Sequence, residues 1–414
     1  MSDRHLPVRP KLDQLKQQAK ELLRDFRSSD PLAAATLKKY HPKNVEPLET
    51  KLADAQFVLA RSYGLPSWAR LVLACRMTEA ICQDDAEAVR ELVSKNPQLL
   101  HEDARGVKGN WGPPMSYAAN LGRDRIIAML RKLGAEDLQL AFDRACLHGK
   151  LETARRLYTM GARPALNSVM GPAETQSGSG LALLLELGAA ISDEHGDRLA
   201  PVAMVLQTYS RNPQGKHECF ELFAQHGIQL PDTPTMAVHR GRLDLLEAHL
   251  NRDLDLLART FSHEEIYPPE LGCHADHSLA LHATPLAGTT LLHLCVDNDE
   301  IEIARWMLQR GGEVNARAEF DADGFGGHTA LFGCVVSQPY RVALRRDDAF
   351  ARLLLDHGAD PRVRASLRKR LRFVEDESMH EYRNVTPLEW GERFHDQDWV
   401  SKPVMHLIAE WTSA

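Results

Sequence analysis

The sequence predicts an all-α fold in which helical hairpins stack into an elongated solenoid. Three observations point there: apolar residues recur at helical spacing through most of the chain, glycines stop the helices at intervals, and one helix-turn-helix phrase returns several times. At 414 residues the chain exceeds one ordinary core of roughly 100–200 residues, so it must be several domains or one repeat array.

The head comes first. "PKLDQLKQQAKELLRDFRSSD" places Leu12, Leu15, Ala19, Leu22, Leu23 and Phe26 on one helical stripe, and "ETKLADAQFVLARSYGLPSWARLVLA" carries a helix that ends at Gly64. Residues 1–75 therefore read as a helical N-terminal cap, covering the apolar face that the first repeat of any open array exposes.

Residues 76–414 carry the repeats. In "GTTLLHLCVDNDEIEIARWMLQRGGEVNAR", Leu291, Leu292 and Leu294 begin a short helix, Ile301, Ile303, Ala304, Met307 and Leu308 continue the stripe, and Gly311 and Gly312 stop it. "GPPMSYAANLGRDRIIAMLRKLGAED", "DLQLAFDRACLHGKLETARRLYTMGARP" and "DTPTMAVHRGRLDLLEAHLNRDLDLL" repeat the phrase, and "NVTPLEWGERF" begins it again. Small residues Ala118, Ala145, Ala237 and Cys295 share one position, with Gly122, Gly149 and Gly241 four places after the first three. One hairpin cannot bury its apolar face alone, so neighbours must stack.

These stretches resemble the ankyrin repeat. Thr290, Leu292 and His293 stand at the Thr, Leu and His places of its Thr-Pro-Leu-His turn, Thr386, Pro387 and Leu388 at Thr-Pro-Leu, and Gly358, Ala359 and Asp360 at its exit turn. The head, with "ADAQFVLARSYGLPSW", looks like the N-terminal extension of some bacterial ankyrin-repeat proteins. The resemblance implies a protein-protein interaction scaffold, with His293 bridging the backbone of neighbouring turns. Repeat spacing is uneven, and insertions are expected at about 259–289, 316–328 and 362–384 as loops or β-fingers that project from the stack.

Composition limits the functions. A hydrophobic content of 43% and charged content of 26% describe a soluble globular chain, and a net charge of -7 gives no general attraction to nucleic acid or anionic lipid. No signal-peptide core and no long apolar span occur, which points to a cytoplasmic protein without a membrane partner. The 7 cysteines are scattered and form no C-x-x-C pair, so they read as reduced thiols.

Two constellations could carry chemistry. Cys273, His274, His277 and His282 offer thiolate and imidazole groups suited to zinc or another divalent metal, though no second pair completes a structural site; solvated loop histidines are the simpler reading. Glu174, Tyr209, Arg211, Lys216, His217, His239 and Arg240 lie near the ends of consecutive helices, where stacking would gather them into a polar cleft for an anionic or peptide-like ligand. The plain alternative is a set of surface ion pairs.

"GPAETQSGSG" lacks the Gly-Lys-Ser/Thr of a phosphate loop, and no G-x-S-x-G or H-E-x-x-H appears, so catalysis has no anchor and no cofactor is implied. The basic run "RVRASLRKRLR" is followed by Glu375, Asp376 and Glu377, which favours charge pairing across a hairpin over nucleic-acid contact. The expected function is binding of a partner protein through the concave face and the projecting fingers. The alternative is a small-ligand or metal protein, an enzyme among its forms, that uses the polar middle or the His-rich insertion.

Overall fold

The computed structural model describes residues 4–43, 45–276, 281–374 and 376–413. It is 53% helix and 5% strand, with no closed sheet. The chain separates into two compact units, Met1–Arg163 and Pro164–Ala414.

The first unit opens with α1 (Leu12–Arg27), α2 (Pro31–Tyr40), α3 (Leu52–Ser62) and α4 (Trp68–Cys82). Leu15, Ala19, Leu22 and Phe26 of α1 are buried at steps of three and four, against α3 and α2. The Asp30 carboxylate caps α2, accepting from Ala33 N at 2.8 Å, and Pro31 fills the first helical position, where its missing N–H costs no bond. The expected boundary after residue 75 falls inside α4. Leu71, Ala74, Cys75, Met77 and Ile81 make one buried stripe on α4, which packs on α3 before it and on the next hairpin's first helix after it. Beyond it run α5 (Ala86–Lys95), α6 (Pro114–Asn120), α7 (Asp124–Lys132), α8 (Leu138–Leu147) and α9 (Leu151–Thr159), with α6 packed between α4 and α8.

The second unit begins with α10 (Met170–Glu174), α11 (Gly178–Glu186), α12 (Ala200–Gln207) and α13 (Pro213–Gln225). Next come α14 (Pro234–His239), α15 (Leu243–Arg252), β1 (Thr260–Phe261), α16 (His263–Ile266), β2 (Thr289–Thr290), α17 (Leu291–Asn298) and α18 (Ile301–Gln309). The chain continues through α19 (Ala330–Val335), α20 (Gln338–Arg341), α21 (Ala349–Asp356), β3 (Ala365–Arg370), β4 (Met379–Val385), α22 (Pro387–Arg393) and α23 (Lys402–Ser413). Helices α14, α17, α19 and α22 pack in succession, and Trp390 of α22 is fully buried.

One turn recurs between the helices of six hairpins. The N–H of Asp85, Arg123, Lys150, Ser177, Arg242 and Glu300 donates to the carbonyl five residues earlier, at 2.8–3.0 Å. The residue before each donor is left-handed: Asp84, Gly122, Gly149, Gln176, Gly241 and Asp299 have φ from 52° to 68°. This is the helix-ending geometry that glycine takes at least steric cost. The second helices end on a matching bond, from Ala135, Ala162, Ala189, Ile228, Gly312 and Ala359, each preceded by a glycine of positive φ. The turn through Gln176 makes "NSVMGPAETQ" the first helix of a hairpin, which its glycine, proline and polar content had hidden.

The described residues of the insertions pack rather than hang free. In 259–289, β1 pairs antiparallel with β2, and Phe261, Ile266, Tyr267, Leu271, Ala283 and Leu286 are buried. In 362–384, β3 and β4 form an antiparallel hairpin from Ala365↔Val385 to Arg370↔Met379. The 316–328 segment folds back on itself through Ala318 N–His328 O (2.9 Å) and bridges Gly326 to Ser366 at the root of that hairpin. The basic run finds its acids there: Arg368 pairs with Asp321 and Asp323 at 2.8 Å, and Arg364 pairs with Glu389 at 3.0 Å. Glu375 lies outside the described residues.

At Gly241 the backbone is left-handed (φ 65°), and an added Cβ would meet the His217 ring at 2.2 Å. That ring is held by Glu300, so it cannot swing away without losing the contact. Gly241→Ala is expected to lower the stability of the full chain by about 1–3 kcal/mol, read as a reduced urea midpoint.

Candidate functional site

Every residue of α17 is buried, including His293, Asp297 and Asn298, and the turn that follows adds buried Asp299 and Glu300. Polar groups so placed must find partners inside the protein. Asp297 takes Arg211, whose Nη2 donates to Oδ2 at 2.7 Å and whose Nε donates to the Asp297 carbonyl at 2.8 Å. The remaining guanidinium hydrogens go to the carbonyls of Thr208, Ser210 and Leu281, each at 2.8 Å. Arg211 is thereby satisfied on all sides.

Lys216, 1% exposed, donates to Asn298 Oδ1 at 2.9 Å and lies 3.6 Å from Glu300 Oε1. Burial pushes its ammonium down to about 8, against the pull of Glu300. His217 Nε2 meets the same Glu300 oxygen at 2.8 Å. His239 Nε2 faces the Ile266 carbonyl at 2.9 Å, an acceptor, so that nitrogen carries the proton and Nδ1 is left to accept from Lys216 at 3.4 Å. Burial and the Lys216 charge hold His239 well below the usual imidazole range. Asp299 binds Arg345, and Arg240 reaches Glu221 at 2.7 Å.

Arg211, Lys216, His217 and His239 thus meet in one internal network instead of lining an open polar cleft, because the Asp297–Glu300 turn neutralises them. Glu174 and Tyr209 lie apart, on the wall of a cavity described below, and Arg240 stands at the edge with Glu221. The four partners from Asp297 to Glu300 were not singled out in the sequence. Their signal was four consecutive acid or amide side chains at the end of an apolar helix and in its turn, where a solvent-facing turn and a buried one read alike.

The His-rich insertion behaves differently. Cys273 is buried and its thiol is pushed up to about 12 by burial, which favours the protonated form over a metal-binding thiolate. The His274 backbone N–H donates to Gln207 Oε1 at 3.0 Å, His282 is buried, and His277 lies outside the described residues. Among the described residues no group of three or more His, Cys, Asp or Glu side chains is arranged to hold a metal.

His274 and His282 share a cavity of about 1040 Å³ with Glu174 and Tyr209. Its apolar wall comes from Met170, Met204, Leu281, Leu371 and Trp399, and Lys369 and Arg370 of β3 also line it. Gln338 Nε2 donates to the Tyr209 carbonyl at 2.7 Å and closes one side.

A family model of the ankyrin repeat matches residues 287–319, which hold β2, α17, the Asp297–Glu300 turn and α18. Over these residues the chain is similar to an ankyrin repeat. No curated protein matches the chain. Ankyrin repeats generally act as protein-protein interaction modules. No helix among the described residues is long and apolar enough to cross a membrane. In the matched repeat, the Thr290 hydroxyl meets His293 Nδ1 at 2.9 Å and His293 Nε2 donates to the His328 carbonyl at 3.1 Å, stitching one turn to the next. His328 Nε2 continues to the Pro285 carbonyl at 3.0 Å. Burial pushes His293 down to about 3 and His328 down to about 4.

Two outcomes follow from these pairings. Asp297→Ala leaves Arg211 buried without its counter-charge and is expected to cost about 3–5 kcal/mol of stability, whereas Asp297→Asn, which keeps an acceptor, costs about 1–3 kcal/mol, both read by urea unfolding. For the histidines, the unfolded imidazole titrates near pH 6.5 and the folded one far lower, so stability is constant above about pH 6.5 and falls below it, where only the unfolded chain takes up the proton. Each contributes about 1.4 kcal/mol per pH unit between about pH 6 and pH 4.5. His328→Asn removes its share, so the urea midpoint of the variant should fall less steeply with pH than that of the wild type.

Proposed function

We propose that this chain is a protein-protein interaction scaffold. It is a solenoid of ankyrin-type hairpins that takes a partner protein on its concave face and on the hairpins inserted between repeats. The recurrence of one helix-turn-helix geometry around a matched ankyrin repeat carries this reading. Such arrays supply an extended surface, and their exposed residues are free to vary with the partner.

The inserted segments favour the finger side of that surface. Phe320 is 59% exposed, Phe373 78% and Met379 54%, all on the two segments that meet at the β3–β4 hairpin. Large apolar side chains held open beside arginines are the anchors that protein interfaces use most. Backbone pairing holds these segments in place, which lowers the ordering entropy a partner must overcome.

The test replaces Phe320, Phe373 and Met379 together by Glu in the full chain and compares cross-linked partners with those of the wild type by quantitative mass spectrometry. The expected result is loss of one or a few proteins by about tenfold or more at an unchanged unfolding midpoint. An identical partner set from the folded variant would remove the fingers from the interface.

A further inference from the structure

The cavity of the second unit has the make-up of a ligand site. At about 1040 Å³ it matches the upper end of the range for small-molecule pockets, roughly 300–1,000 Å³. Met170, Met204, Leu371 and Trp399 give it apolar walls, and Lys369 enters from β3.

Lys369 is 8% exposed, and among the described residues its ammonium has no hydrogen-bond or ion-pair partner. Burial pushes it down to about 8, and the carboxylate that opposes the shift, Asp297, is already bound by Arg211. Around this point three buried cations, Arg211, Lys216 and Lys369, face the buried carboxylates Asp297 and Glu300, and the third buried carboxylate of the turn, Asp299, is taken by Arg345. One positive charge is left over, on the side chain that faces the cavity.

The rim repeats the imbalance. Arg341 lies over the Trp399 ring at 5.7 Å and Arg372 over Phe373 at 5.3 Å, and among the described residues neither makes an ion pair. Arg370 gives its Nε to the Glu377 carbonyl. Against these four cations the wall holds two carboxylates, Glu174 and Asp197. Two further side chains on the wall, Gln338 and Trp399, each bury a polar atom, Oε1 and Nε1, that no group among the described residues satisfies. A buried charge without a partner is costly, and an isolated ammonium in an apolar cavity favours any anion that brings its own apolar body.

We propose that this cavity binds an amphipathic anion, an acidic head on an apolar body, with the head at Lys369 and the body along Met204, Leu371 and Trp399. The site is separable from the partner-protein reading: of the three finger residues only Phe373 lines it, at the rim, while Phe320 and Met379 do not. A point charge such as Lys369 accepts carboxylate and phosphate alike, so the head is defined by its charge.

The experiment uses two fluorescent probes with one aromatic frame, anilinonaphthalene sulfonate and the uncharged N-phenylnaphthylamine, titrated into the full chain. The wild type should bind the anionic probe about tenfold or more tightly than the neutral one, and Lys369→Met should shrink that preference to about threefold or less. Ala203→Trp, which fills the cavity from α12, should weaken both probes. Laurate or lauryl phosphate should displace the anionic probe while lauryl alcohol does not, and whichever acid acts at lower concentration names the head. Equal affinity of the wild type for the two probes would overturn the proposal. So would an anionic preference that survives in folded Lys369→Met, binding unchanged in folded Ala203→Trp, or displacement by the alcohol as effective as by the acids. Should a variant not fold, the wild-type preference and the displacement series decide alone.

Discussion

The second unit depends on how it accommodates α17. This helix has no exposed residue, yet it and its turn end in four acid or amide side chains, and each draws a partner from a distant part of the chain. Arg211 on Asp297, Lys216 on Asn298, His217 on Glu300 and Arg345 on Asp299 tie the segment before α13, α13 itself and the chain after α20 to one turn. Buried pairs of this kind add little net stability over an apolar core, because desolvation offsets the attraction. They do penalise any arrangement in which one partner is missing, and so specify which helix stacks on which.

The Asp299 position shows how the repeat geometry and this network meet. Three of the five sister turns place glycine there, at Gly122, Gly149 and Gly241, where the left-handed backbone favours it, and the other two carry Asp84 and Gln176. Aspartate in that conformation is strained, and its carboxylate offsets the strain by holding Arg345. A turn that elsewhere only reverses the chain here also anchors the segment that follows α20.

The same economy of partners explains why the insertions fold back. A long Pro-, Gly- and His-rich loop carries backbone groups that need bonds and apolar side chains that need cover. Pairing β1 with β2, and the 316–328 segment with the root of β3, supplies the bonds; burying Phe261, Tyr267 and Leu271 supplies the cover. What stays outside is the tip with Phe320, Phe373 and Met379, and what is enclosed beside α12 is the cavity that Lys369 faces. A protein-binding surface and a small-molecule site can therefore lie side by side in one unit, with Phe373 at the edge of both.

The sequence by itself determined the helices, their short turns and the repeated phrase, because helix periodicity, glycine stops and the turn bonds act over five residues or fewer. His293 was legible as a bridge between turns through the resemblance of its turn to the ankyrin repeat, and the basic run as a charge-paired hairpin through the acids that follow it along the chain. The partners were not legible: Arg368 pairs with Asp321 and Asp323 in place of the acids that follow it, and α4 runs through the expected boundary after residue 75. The candidate polar residues were found by type, but their neutralisation was not, because Arg211 and Asp297 are separated by 86 residues and Lys369 enters from a hairpin further on. Only the tertiary structure decides whether a charged side chain faces water, a counter-charge or an empty cavity, because burial and electrostatic pairing depend on distances in space that local sequence pattern does not encode.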